Sequence, residues 1–138
     1  MVSIMKKLAI VLAAFTLSGC VVFDSYFMAK YDTTEYALVN SIKTKAELAQ
    51  ENCADKAKMI VSVDDIYAKS LEFKNFTTYI PRNTDAVNLS SGLFKLAKDT
   101  KDFYAKSDKV SEVFCKMKLQ QIVKASDTIQ NTIGSKPR

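Results

Sequence analysis

From Val39 onward the apolar residues recur at steps of three and four, the spacing of a helix that buries one face. Val39, Ile42, Ala46, Ala49, Cys53, Ala57, Ile60, Tyr67 and Leu71 form the stripe, and Lys43, Lys45, Glu47, Glu51, Asp55 and Lys56 fill the polar positions between them. Asp32-Thr33-Thr34-Glu35 supplies a start signal, with Asp32 as N-cap and Glu35 reaching back to it as in a capping box. The helix either continues unbroken to about Phe73 or resets at Ser62-Val63-Asp64-Asp65. There the stripe loses its phase, and Ser62 is a residue type suited to capping a second helix.

Lys74 to Asn83 interrupts the helical pattern. Thr77, Thr78, Tyr79 and Ile80 favour extended structure, and Pro81 lacks a donor and restrains its predecessor. A long connection of this kind often carries function, and Phe76, Tyr79 and Arg82 are residue types that anchor binding surfaces. They are the candidate partner-binding residues. The competing reading is that Phe76, Tyr79 and Ile80 close one end of the core. A second helix is predicted from Thr84-Asp85, with Val87, Leu89, Leu93, Leu96, Ala97, Phe103 and Tyr104 inward and Ser90-Ser91-Gly92 as a weak point. Ser107-Asp108 is predicted to cap the last helix, whose inner side holds Cys115, Leu119, Ile122, Ile129 and Ile133, flanked by Val110, Phe114 and Met117. Gly134 stands where a left-handed cap would end it. No sustained heptad, internal repeat or low-complexity tract is evident. The expected fold is an all-α up-down bundle of three long helices, or four if the first resets near Ser62.

The start of the chain obeys other rules. Lys6-Lys7 precedes an apolar run from Leu8 to Leu17, followed by Ser18, Gly19 and Cys20. Ten apolar residues are about half of what a helix needs to cross a hydrocarbon core, so the layout predicts an export signal rather than an anchor. Leu17-Ser18-Gly19-Cys20 resembles the lipobox of bacterial lipoprotein precursors. That resemblance implies diacylglycerol on the Cys20 sulfur, cleavage between Gly19 and Cys20, and acylation of the new amino terminus by a fatty acid such as palmitate. Residues 1–19 are then the signal peptide, 20–31 a lipid-proximal aromatic segment, 32–134 the bundle and 135–138 a tail. Val21 follows the cysteine where an aspartate favours inner-membrane retention in enteric-type sorting. The resemblance thus implies the outer membrane, on its periplasmic face. Val21-Val22-Phe23-Asp24-Ser25-Tyr26-Phe27-Met28 either begins the core or lies at headgroup level, where amphipathic rings are comfortable.

Export changes how the cysteines are read. With Cys20 assigned to lipid, Cys53 and Cys115 remain, and an oxidising compartment predicts a disulfide between them. Closing a loop of roughly 60 residues corresponds to about 4 kcal/mol in the chain-entropy model. Loss of residues 1–19 removes two lysines and no acid, lowering the formal charge from +5 to +3. The remaining lysines are scattered among acids, which points to a solvated surface and away from nucleic acid.

The chain contains no histidine and no tryptophan. Without histidine the commonest general base and the commonest metal ligand are missing. There is no Cys-x-x-Cys and no glycine-rich phosphate loop. Asp64-Asp65 is adjacent on a helix, where neighbours point about 100° apart, and Ser90-Ser91 near Lys95 is a spacing that any polar helix face produces. Asn75-Phe76-Thr77 and Asn88-Leu89-Ser90 match glycosylation sequons that a bacterial-type lipoprotein does not use. No enzyme, no cofactor and no metal is expected. Tyr31-Asp32-Thr33-Thr34-Glu35-Tyr36 and Phe114-Cys115-Lys116-Met117-Lys118 resemble segments of small lipoproteins encoded by tailed phages. That resemblance implies either the outer-membrane subunit of a spanin, which pairs with an inner-membrane partner at lysis, or a lipoprotein that blocks a receptor against superinfection. The expected function is a non-catalytic protein-binding module, held at the membrane by lipid and docking an envelope protein.

Overall fold

The computed structural model describes residues 28–138. The leader, the lipobox, Cys20 and residues 21–27 lie outside the described residues. Four helices follow in order: α1 (Thr33–Ala49), α2 (Lys56–Thr78), α3 (Thr84–Lys106) and α4 (Glu112–Gly134). A 3₁₀ turn, Gln50–Asn52, trails α1. Among the described residues there is no strand, and no helix is long and apolar enough to cross a membrane.

Cross-helix contacts fix the topology. Lys43–Asp127, Asn40–Gln130 and Glu35–Lys136 join α1, or the turn after α4, in opposite sequence directions, so α1 and α4 are antiparallel. Tyr67 packs on Phe94 and Thr77 meets Ser90, which runs α2 against α3 in the same manner. Lys45–Asp65 does so for α1 and α2, and Phe103–Phe114 joins the end of α3 to the start of α4. Each helix therefore borders its two neighbours, with α1 closing on α4. The molecule is an up-down-up-down four-helix bundle.

The buried positions of each helix alternate by three and four. They are Glu35, Val39, Ile42, Ala46 and Ala49 in α1, and Met59, Val63, Ile66, Ser70, Phe73 and Thr77 in α2. They continue with Ala86, Ser90, Leu93, Ala97, Thr100 and Tyr104 in α3, and Cys115, Leu119, Ile122, Ser126, Ile129 and Ile133 in α4. This is a heptad seam in every helix, contrary to the expectation of none. Ser, Thr and Ala at many seam positions disguise it in the sequence. Their small volume lets the helices approach, and their hydroxyls are satisfied locally. Ser70 donates to Ile66 O at 2.7 Å, Ser126 to Ile122 O at 2.9 Å and Thr100 to Leu96 O at 2.8 Å, so each adds no unpaired polar group to the core.

The first stripe breaks at Gln50–Asp55, not at Ser62. Asp55 is the true cap, its carboxylate accepting from Lys58 N at 3.1 Å. Ser62 sits inside α2, where its hydroxyl donates to Lys58 O at 3.0 Å and accepts from Asn52 Nδ2 at 3.3 Å. The loss of phase at Asp64 follows from this earlier restart. The new seam begins at Met59, leaving Ala57 and Ile60 exposed and Tyr67 and Leu71 half-buried. Cys53 consequently lies in the corner before α2 rather than on a helix.

Three other boundaries differ from expectation. Helix α2 runs through Lys74 to Thr78, because burial of Phe73 and Thr77 in the seam outweighs the extended preference of the threonines. Ser111 caps α4, accepting from Phe114 N at 3.1 Å, whereas Ser107 ends α3. Gly134 closes α4 without a positive φ, and the one left-handed residue among the described ones is Arg82, φ 61°. The cap at Asp32 stands as expected, accepting from Thr34 N at 2.8 Å and Glu35 N at 2.9 Å. Glu35 does not fold back on it. Its carboxylate points into the bundle.

Candidate functional site

The two ends of the bundle carry its unusual chemistry. The first end gathers the start of the described chain, the α2–α3 connection and the C-terminal turn. Glu35 is fully buried and Lys136 nearly so. Lys136 Nζ donates to Glu35 Oε2 at 2.5 Å and to Asn83 Oδ1 at 2.6 Å. Asn83 Nδ2 in turn donates to Glu35 Oε1 at 2.6 Å and to Thr77 O at 3.2 Å. A buried charge is costly unless paired and hydrogen-bonded, and here each charged group meets both its counter-ion and the amide. Main-chain bonds stitch the leading segment over this network: Ala29 N donates to Arg82 O at 3.2 Å and Tyr31 N to Pro137 O at 2.8 Å.

The predicted binding residues belong to this end, though not as one cluster. Phe76 is half-buried on the last turn of α2, Tyr79 is 87 % exposed, and Arg82 is exposed in the left-handed turn. Ile80 is half-buried. Between the leading segment and the connection lies an open hollow of about 540 Å³, lined by Met28, Ala29, Tyr31, Ile80, Pro81 and Arg82 among others.

The opposite end is closed covalently. Cys53 and Cys115 form a disulfide with Cα atoms 5.7 Å apart, tying the α1–α2 corner to the first turn of α4. Lys56 Nζ donates to Ser107 O at 2.6 Å across the same end. Tyr104 is buried beside the bridge, and its hydroxyl has no hydrogen-bond partner. Burial pushes its phenol above the ordinary tyrosine range. A hollow of about 280 Å³ there is bounded by Cys53, Tyr104 and Val110. Large apolar side chains stand exposed on the helix turns of this end: Leu48 near the close of α1, Val61 in α2, and Val113 and Met117 in α4.

The catalytic-looking spacings do not converge. Asp64 pairs with Lys101 of α3 at 3.0 Å and Asp65 with Lys45 of α1. Ser90 is buried against Thr77 at 2.9 Å, while Lys95 is exposed and bound to Asp99 at 2.6 Å. Among the described residues no three His, Cys, Asp or Glu side chains stand close enough to hold a metal. Asn75 and Asn88 are exposed helix positions, and the latter borders an open groove of about 400 Å³ between α3 and α4.

Sequence reasoning missed the Glu35–Asn83–Lys136 network and the exposed apolar side chains of the disulfide end. Glu35 at a helix start reads as a cap and Lys136 as part of a tail. Only their joint burial gives them away, and nothing local encodes it. No protein-family model, curated protein or solved structure matches this chain.

Proposed function

We infer that this protein is a lipid-anchored lipoprotein of the outer membrane, facing the periplasm, whose helical bundle works by protein contact rather than by catalysis. The observation that carries the reading is Leu17-Ser18-Gly19-Cys20 directly behind a cationic, apolar leader. The acyl chains implied by such a box give membrane attachment that one chain alone would not, at about 0.8 kcal/mol per buried methylene. The bundle offers support of a different kind. A cross-link between Cys53 and Cys115 suits an oxidising compartment.

The anchor also sorts the two ends. Chain from Cys20 enters the bundle at the end that holds Met28, so the disulfide end is the one free to meet a protein. Leu48, Val61, Val113 and Met117 are the exposed apolar residues it offers, whereas Phe76, Tyr79 and Arg82 share the end that holds Met28. The test is metabolic labelling with radioactive palmitate in cells expressing the wild-type chain and Cys20→Ala, followed by membrane fractionation. Label on the wild type, lost in Cys20→Ala together with outer-membrane sedimentation, is the expected result. An unlabelled wild-type chain that keeps residues 1–19 by mass refutes it.

A further inference from the structure

We propose that the end face carrying Met28, Lys30 and Tyr79–Arg82 rests on the phospholipid surface, so that the bundle stands end-on with its disulfide pointing away from the membrane. This rests on the lipoprotein reading and adds an orientation and a second membrane contact to it. The length of chain outside the described residues sets the scale. Only residues 21–27 separate Cys20 from Met28, a reach of about 27 Å even when fully extended. The helices of 23 residues are about 34 Å long, so the disulfide end lies beyond any short tether.

The face has the composition of an interfacial contact. Tyr79 is 87 % exposed and Met28 38 % exposed, flanked by Ile80 and the exposed Pro81. Tyrosine is comfortable at headgroup depth because its ring is apolar and its hydroxyl stays wet. Two of the acids at this end are held by partners, Asp32 from a half-buried position that borders the hollow. Glu35 is buried on Lys136, and Asp32 accepts from two main-chain N–H groups. Lys30, Arg82 and Arg138 are exposed, against Asp85 as the exposed acid of the same segments. The hollow of about 540 Å³ in this face gives headgroups a recess rather than a flat wall. The leading segment is bonded to Arg82 O and Pro137 O, so the face is held rigidly relative to the helices.

Absence of tryptophan makes a clean measurement possible. Tyr79→Trp and Val113→Trp each place a single indole at one end, at positions 87 % and 80 % exposed where the exchange disturbs no packing. Both full chains are expressed with their leader, purified, checked for acylation by mass and reconstituted into phosphatidylethanolamine–phosphatidylglycerol vesicles with brominated acyl chains. The expected result is at least about twofold stronger quenching at Tyr79→Trp than at Val113→Trp, as for a face seated some 5–10 Å into the interface. Acylated chains whose indoles are quenched equally, or more at Val113→Trp, overturn the end-on contact and leave the anchor standing. Chains without acyl groups by mass remove the anchor and the orientation together.

Discussion

The two ends of the bundle solve one problem by opposite means. At both, loops must be held against a core that is thinning out. The disulfide end uses a covalent bond between positions 62 residues apart, which limits the unfolded chain and is indifferent to salt. The other end uses Glu35, Asn83 and Lys136, which act in the folded state and only while all three are present. A constraint on the unfolded ensemble needs no fit, whereas a buried ionic network stabilises only through its geometry. Both ends nonetheless leave apolar side chains exposed, Leu48, Val61 and Val113 at the disulfide end and Met28 and Tyr79 at the other.

The largest expected effect is therefore at the bridge. Cys53→Ser/Cys115→Ser should lower unfolding stability by about 4 kcal/mol, the chain-entropy value for a loop of this length, read from urea denaturation of oxidised wild type and variant. Hydrogen exchange should then show the start of α4 and the Gln50–Asp55 corner opening first. A loss below about 1 kcal/mol would mean that the unfolded chain is already constrained there by residual structure.

Next is the ionic network. Lys136→Met leaves Glu35 buried with an amide as its remaining partner, and a broken buried pair costs about 3–5 kcal/mol. The lower figure applies here, since the site lies at the tip of the bundle. The double variant Glu35→Met/Lys136→Met should recover most of the loss, because apolar replacement of a whole buried pair is often neutral. Failure of the double variant to recover would show that the network positions the leading segment and connection rather than merely neutralising itself. By comparison the exposed helix pairs, Lys95–Asp99 and Lys116–Glu112, are of little consequence for stability.

The comparison also explains what could be read before folding. The inner face of the last helix is legible, because Cys115, Leu119, Ile122, Ile129 and Ile133 follow the helical repeat, whereas its cap at Ser111 and the buried Ser126 are not. The bridge is legible from chemistry, since reading Cys20 as a lipidation site leaves two cysteines to pair. The break in the first stripe is not. Ala57 and Ile60 happen to continue the old phase for one more turn, while Asp55, which caps the next helix, looked like one more surface acid. The seams of α2 and α3 were half hidden because Ser70, Thr77, Ser90 and Thr100 occupy core positions usually held by aliphatic residues. Pattern reading counts a hydroxyl as exposed; the i−4 carbonyl that satisfies it becomes visible only in three dimensions. The same limit applies to the candidate site, where Tyr79 and Arg82 are accessible as expected but share an end with Lys136, more than fifty residues further along.

The smallest expected effect has the opposite sign. Tyr104 keeps its ring in the core beside the disulfide while its hydroxyl lies buried without a partner. Such a group bears its desolvation cost with nothing in return, so Tyr104→Phe should be neutral or stabilising by up to about 1 kcal/mol. The pH dependence follows from the same burial. The phenol ionises at higher pH in the folded chain than in the unfolded one, so the folded state binds the proton more tightly. Its contribution is then fully present below the ordinary tyrosine value near 10 and declines as pH rises from there through the folded value. Alkaline denaturation should accordingly be shallower in Tyr104→Phe than in wild type, with the separation between the two curves constant below that range. Parallel curves at all pH values would place the hydroxyl in contact with water in solution, and the disulfide end would then be looser than its cross-link implies.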